Sequence, residues 1–170
     1  MSKIEKNRIK KEEMSKEKIV FYNNYINDIR SRMDRPDFLG TFTDDDLEYL
    51  LDHNSHIYLF NYDNDVVCTS MIIPASEKDI KKFGLDLDFN EVIDYGPEVV
   101  LDSYRGNGLQ GYMLEDLDSI SKDLGYKYAV ATIHPENVFS INNFLKHDFK
   151  KVYENNFERG PRNIYLKKLR

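Results

Sequence analysis

The chain has 170 residues, 41% of them hydrophobic, about the size of one ordinary domain with enough apolar material for one core. Lys and Arg number 24 against 30 Asp and Glu, a formal net charge of −6, which argues against a general nucleic-acid binder because phosphate contact needs clustered positive charge. The single cysteine, Cys68, excludes an internal disulfide framework and any multi-thiolate metal cluster, while the lack of a long apolar run or secretory leader predicts a cytoplasmic protein with no membrane span.

Charge is unevenly distributed. Residues 1–35 and 144–170 are rich in Lys and Arg, whereas 37–65 and 86–102 carry acids and no Lys or Arg. Acidic blocks of this kind suit solvated helix and loop surface, and equally a cleft that draws a cationic ligand.

Along the chain, residues 1–16 read as a basic arm with a weak first strand around Arg8-Ile9-Lys10, and 17–170 as one domain. Ile19, Tyr22, Ile26, Ile29 and Met33 recur at spacings of three and four, predicting a helix over 17–34 that Pro36 must stop. Thr43 followed by Asp46 reads as a capping box opening a second helix, with Leu47, Leu50 and Leu51 facing the core. The runs Ile57–Tyr62 and Val66–Ile73 flank Asp63-Asn64-Asp65 and predict a hairpin. Residues 75–91 read as a polar connection with one helical turn at Glu77–Phe83. A strand is then expected at Glu98–Leu101, with Asp94 near its start, followed by a glycine-rich junction. The helix after it carries the stripe Leu109, Met113, Leu117, Ile120 and Leu124. Lys127–Ile133 reads as a strand buried on both faces, Pro135–His147 as a helix, and Phe149–Asn156 and Asn163–Leu169 as closing strands. The order is β, α, α, β, β, β, α, β, α, β, β.

The junction carries the chemistry. Gly106-x-Gly108-x-x-Gly111 matches the dinucleotide fingerprint literally, but that fold expects an acidic residue about 20 positions on to hold the ribose, and Ala131-Thr-Ile-His134 stands there. No Lys-Ser or Lys-Thr follows the loop, so the nucleoside-triphosphate loop fails as well. A third reading is a pyrophosphate held by backbone amides at the helix N-terminus beside Arg105, with glycines at 106 and 108 because side chains there would hold the anion off. A glycine-rich turn with no ligand is the plain structural alternative.

Tyr104-Arg-Gly-Asn-Gly-Leu-Gln110 resembles the acyl-CoA loop of the GNAT superfamily of N-acyltransferases. Residues 96–104 resemble the strand that precedes that loop, although Asp102 stands where proline is common. Asn137-x-x-Ser140-x-x-Asn143-Phe144 with Phe149 resembles the segment that follows. The likeness covers about residues 5–170 and is strongest over 96–149. It implies a single-domain α/β (α+β) fold, a mixed and mostly antiparallel sheet of six to seven strands flanked by about four helices, and it implies acetyl-CoA as co-substrate with no metal.

The resemblance also assigns residues. Arg105, Gly106, Asn107, Gly108, Leu109, Gln110 and Gly111 would hold the acyl-CoA pyrophosphate, with Gln110 departing from the usual small residue. Val99, Val100 and Leu101 would pair with the pantetheine arm and offer a backbone N–H to the thioester carbonyl. Asn137 would reach the pantetheine or simply cap its helix, and Ser140, Asn143 and Phe144 would line the cofactor. A tyrosine acid is usual where Phe144 stands, which leaves water, Tyr153 or Tyr95 to protonate the leaving thiolate. Asp94 and Glu98, sharing one strand face by the period of two, are candidates for the base or for binding a cationic acceptor, and equally solvent-facing carboxylates. Cys68 reads as a small buried residue, and His53-x-x-His56 as surface caps rather than metal ligands.

The function expected is transfer of an acetyl group from acetyl-CoA to a small cationic amine, a molecule or a peptide, by direct attack in a ternary complex. A catalytically silent acyl-CoA-binding module is the second reading and dinucleotide binding the third. Homodimers are frequent in the superfamily, though nothing in the sequence marks an interface.

Overall fold

Ile19, Tyr22, Ile26 and Ile29 are buried along one side of the first helix, α1 (Ile19–Ser31), as their spacing requires. The helix stops at Ser31, earlier than the expected end, so Met33 lies beyond it, and Pro36 opens a short 3-10 turn, Pro36–Phe38. The computed structural model describes residues 3–170; the first two residues of the expected basic arm lie outside the described residues. The remaining elements are β1 (Lys10–Glu13), α2 (Asp44–Asp52), β2 (His56–Tyr62), β3 (Asp65–Pro74), α3 (Glu77–Lys82), β4 (Val92–Tyr95), β5 (Val99–Val100), α4 (Leu109–Asp123), β6 (Tyr128–Ile133), α5 (Val138–Lys146), β7 (Lys150–Phe157) and β8 (Gly160–Lys168). The strands form one mixed sheet in the order β1-β2-β3-β4-β6-β8-β7, with β5 pairing β3 off that path. The β4–β6 pair is parallel, and β1–β2, β3–β4, β3–β5, β6–β8 and β7–β8 are antiparallel.

The chain divides into two compact units, one built from residues up to Met71 with Pro97–Met113, the other from Ile72–Gly96 with Leu114–Arg170. In the first unit, β1 pairs with β2 from Lys10↔Asn61 to Glu13↔Tyr58, slightly later than the strand expected around Arg8. The capping box at Thr43 and Asp46 opens α2: the Asp46 N–H donates to Thr43 Oγ1 at 3.1 Å and the Thr43 N–H to Asp46 Oδ2 at 3.0 Å. Leu47 is fully buried, while Leu50 and Leu51 are half-buried. Asn23 of α1 donates to Asp44 of α2 at 2.6 Å.

In the second unit, β4 lies between β3 (Ile73↔Asp94) and β6 (Asp94↔Val130). One core cluster gathers Ala75, Ile80, Phe83, Val92, Val130 and Ile164. The capping box at Ser76 and Asp79 makes a true short helix of α3, where the sequence suggested one turn. The register of β7 against β8 shifts between Lys151 and Tyr153.

The strand expected at Glu98–Leu101, with Asp94 at its start, is two strands. Gly96 and Pro97 separate β4 from β5; proline has no N–H to give a ladder and its φ is locked, so the period of two does not run from Asp94 to Glu98. Asp94 therefore lies within β4, while Glu98 stands in the connection just before β5, and the two carboxylates belong to different units.

Candidate active site

The glycine loop is anchored from both ends within the first unit. At its entrance the Tyr104 side chain is buried, donates from its hydroxyl to Asp65 Oδ2 at 2.8 Å, and meets the Tyr62 ring edge-on at 6.3 Å. Asn107 donates from Nδ2 to the Tyr104 carbonyl at 2.8 Å. At its exit Leu109 is buried, and the Gly108 carbonyl accepts the first helical bond of α4 from the Tyr112 N–H at 3.1 Å. Between these anchors Gly106 and Gly108 have φ of +81° and +68°. Both lie in the left-handed region that favours glycine, and the absence of side chains keeps the backbone amides of the loop clear of Cβ atoms. Gln110 and Gly111 fall in the first turn of α4, half-buried.

Arg105 is exposed and its Nη2 lies 3.2 Å from Asp102 Oδ1. Asp102 also accepts from Arg32 Nε at 2.8 Å. Asp102 thus shares its one carboxylate between two guanidinium groups.

Val99 and Val100 pair with Thr69 and Cys68 of β3. Leu101 lies outside the strand, and its N–H donates to the Val67 carbonyl at 2.8 Å. Because backbone donors alternate along a strand, the Val100 N–H faces away from β3. Cys68 is fully buried, and burial, with the Glu98 charge beside it, pushes its thiol far above the ordinary range.

In the second unit, Asp94 sits on the central strand β4. Burial pushes its carboxyl well above the usual carboxylate range; the like charge of Asp79 pushes the same way and Arg159 opposes. The next residue, Tyr95, points to the other face by strand alternation. Its hydroxyl donates to Asp118 Oδ1 of α4 at 2.7 Å. Asp118 is also paired with Lys167 of β8, whose Nζ lies 5.7 Å from the centroid of Phe149. Tyr95 therefore has its proton committed to a buried carboxylate, so it is set aside as an acid.

Tyr153 is exposed and its ring rests on Gly84. Phe144 is buried edge-on against Phe149, centroids 5.0 Å apart. Asn137 caps α5, its Oδ1 accepting from the Ser140 N–H at 3.3 Å, and the Asn143 carbonyl is bonded to His147 Nδ1 at 2.8 Å. Asn137 thus makes the cap that sequence offered as one alternative. His53 bonds the Tyr49 carbonyl at 2.7 Å and His56 pairs with Glu13. Among the described residues, no group of three or more His, Cys, Asp or Glu is arranged to hold a metal, and no helix is long and apolar enough to cross a membrane.

The network of Tyr95, Asp118 and Lys167 has only a faint mark in the sequence. Its one signal is Asp118 standing among Leu114, Leu117 and Ser121 at spacings of three and four, a charged residue on the buried side of α4.

No protein-family model and no curated protein matches the chain. Solved structures do. An N-acetyltransferase from Staphylococcus aureus Mu50 superposes with a TM-score of 0.74 at 19% identity, covering 95% of this chain and 99% of that one. A GNAT-family acetyltransferase from Streptococcus pneumoniae gives 0.72 at 15% identity, covering 94% and 98%. The aminoglycoside acetyltransferase AAC(6')-Ib, solved with coenzyme A, gives 0.72 at 13% identity, covering 94% and 94%. At these identities the likeness establishes the fold: the chain has the fold of the GNAT acetyltransferases.

Proposed function

We propose that the chain is an N-acetyltransferase that moves the acetyl group of acetyl-CoA to a small cationic amine. The observation that carries this reading is the loop itself: Gly106 and Gly108 at positive φ, Arg105 beside them and the buried plug Leu109 after them, at the start of α4 in a GNAT fold. Arg105 and the amides of Gly106, Asn107, Gly108, Leu109, Gln110 and Gly111 would receive the pyrophosphate. Val99 and Val100 would offer the pantetheine the edge of β5 away from β3, with the Val100 N–H facing the thioester oxygen as negative charge develops there. Asn137, Ser140 and Asn143 line the same cofactor in this reading.

The amine attacks the thioester carbonyl carbon. A C–N bond forms, the C–S bond breaks, and the thiolate leaves as CoA once protonated. Asp94, held proton-hungry by burial, suits the base that takes a proton from the incoming ammonium, and Glu98 suits recognition of the acceptor's charge. Tyr153 is the side chain we assign to the leaving thiolate. The acidic stretches 37–65 and 86–102 favour a cationic acceptor, and AAC(6')-Ib, one of the similar structures, is named as an aminoglycoside acetyltransferase.

A silent acyl-CoA-binding module is the second reading, favoured by Phe144 buried where a tyrosine acid is usual. Release of CoA thiol from acetyl-CoA across a panel of polyamines, aminoglycosides, amino acids and peptides decides between the two. Amine-dependent release establishes the transferase, and binding without release across the whole panel establishes the module.

A further inference from the structure

The basic arm is folded onto the glycine loop. The Ile4 N–H donates to Asn107 Oδ1 at 3.1 Å, tying the arm to the side chain that itself braces Tyr104. The Glu5 N–H donates to the Tyr62 hydroxyl at 3.4 Å. Arg8 donates to the same hydroxyl at 3.3 Å, lies over that ring at 5.0 Å and pairs with Asp63. Pinned on both sides of it, Lys6 is carried over the loop: its Nζ stands 3.4 Å from where a Cβ on Gly108 would be and 6.0 Å from the centroid of Tyr112.

The N-terminal turn of α4 presents N–H groups and the positive end of the helix dipole, so a cation beside it is of the wrong sign. An anion between the two relieves the conflict, and an ammonium on a flexible stem is suited to a phosphate oxygen.

We propose that Lys6 is a phosphate-binding residue of the acyl-CoA site, a second cation that closes over the pyrophosphate from the side opposite the loop amides while Arg105 flanks it. This rests on the acyl-CoA reading of the loop. It gives the basic arm a role, since the arm's fixed contacts place one lysine of several at the loop.

The test is isothermal titration of CoA into the whole chain and into K6Q, K6R and K10Q, with thermal unfolding of each. Loss of one charge-assisted contact predicts a Kd about tenfold higher for K6Q. K6R should stay within about threefold of the parent because it keeps the charge, and K10Q, on β1, should bind like the parent. The K6Q defect should shrink below about twofold in roughly 0.5 M salt, where exposed charges are screened, with unfolding temperatures unchanged. K6Q binding as tightly as the parent would overturn the assignment. So would K6R binding as weakly as K6Q, or a defect that persists in salt, since either marks packing of the arm rather than a charge on phosphate. A parent chain that binds no CoA sinks the acyl-CoA reading itself, an outcome distinct from equal binding by parent and variant.

Discussion

The ring of Tyr153 occupies the space a side chain at Gly84 would need. A Cβ on Gly84 would lie 2.5 Å from Tyr153 Cδ1, and the glycine's φ is +66°. Asn155, two residues on, donates to the Lys82 carbonyl at 2.9 Å, so β7 is fastened to the end of α3 by a ring and a hydrogen bond. G84A meets both the collision and the backbone strain, and should cost roughly 2–4 kcal/mol. The measurement is a fall of several degrees in Tm; an unchanged Tm would show that the ring moves aside freely.

Y153F keeps that packing and removes only the hydroxyl. If the phenol protonates the thiolate, kcat falls about 10²-fold with Tm unchanged. Unaltered turnover would assign the proton to water.

Asp94 gives a pH dependence whose sign follows from burial. Its folded carboxyl holds a proton more tightly than the unfolded one, near 3.9, so the folded state binds more protons between the two values and loses stability as pH rises through that window. The penalty is fully present above the folded value. D94N should therefore exceed the parent in Tm at pH 8, and the difference should vanish as pH falls toward about 4. The same substitution should lower kcat/KM about 10²-fold while leaving CoA affinity unchanged. Equal loss of CoA binding would remove Asp94 from the role of base.

Asp118 and Lys167 are both nearly out of solvent, with side-chain exposures of 12% and 13%. Removing the cation leaves a buried carboxylate with only the Tyr95 hydroxyl, so K167M should destabilise by about 3–5 kcal/mol. D118L in the same chain should recover much of that loss. Additive losses in the double variant would show that the pair is not coupled.

Features encoded over a few residues are legible in the sequence. The stripe of α1, the capping box at Thr43 and the loop from Arg105 to Gly111 depend on neighbours at spacings of one to four, and each forms where its spacing implies, save that α1 ends at Ser31 and leaves Met33 beyond it. What the sequence hides depends on distant pairing or on a backbone break. Val92–Tyr95 is a strand because β3 and β6 flank it, and Gly96-Pro97 divides it from Val99, which a period of two counted through that pair cannot register. Lys6 is one lysine among many in a charged arm until the fold sets it against Gly108. Likewise Lys167 reads as an ordinary strand lysine until α4 supplies Asp118.

The most direct test of the acyl-CoA loop is thermal unfolding of the whole chain with acetyl-CoA, CoA, NAD and ATP. A ligand at about 100 times its Kd adds roughly 2.7 kcal/mol, a shift of a few degrees at this size. Stabilisation by acetyl-CoA and CoA, with none from NAD or ATP, is the predicted result, and its loss in R105Q would place the ligand at the loop. Stabilisation by NAD, or by none of the four, would contradict the acyl-CoA assignment and with it the catalytic roles given to Asp94 and Tyr153.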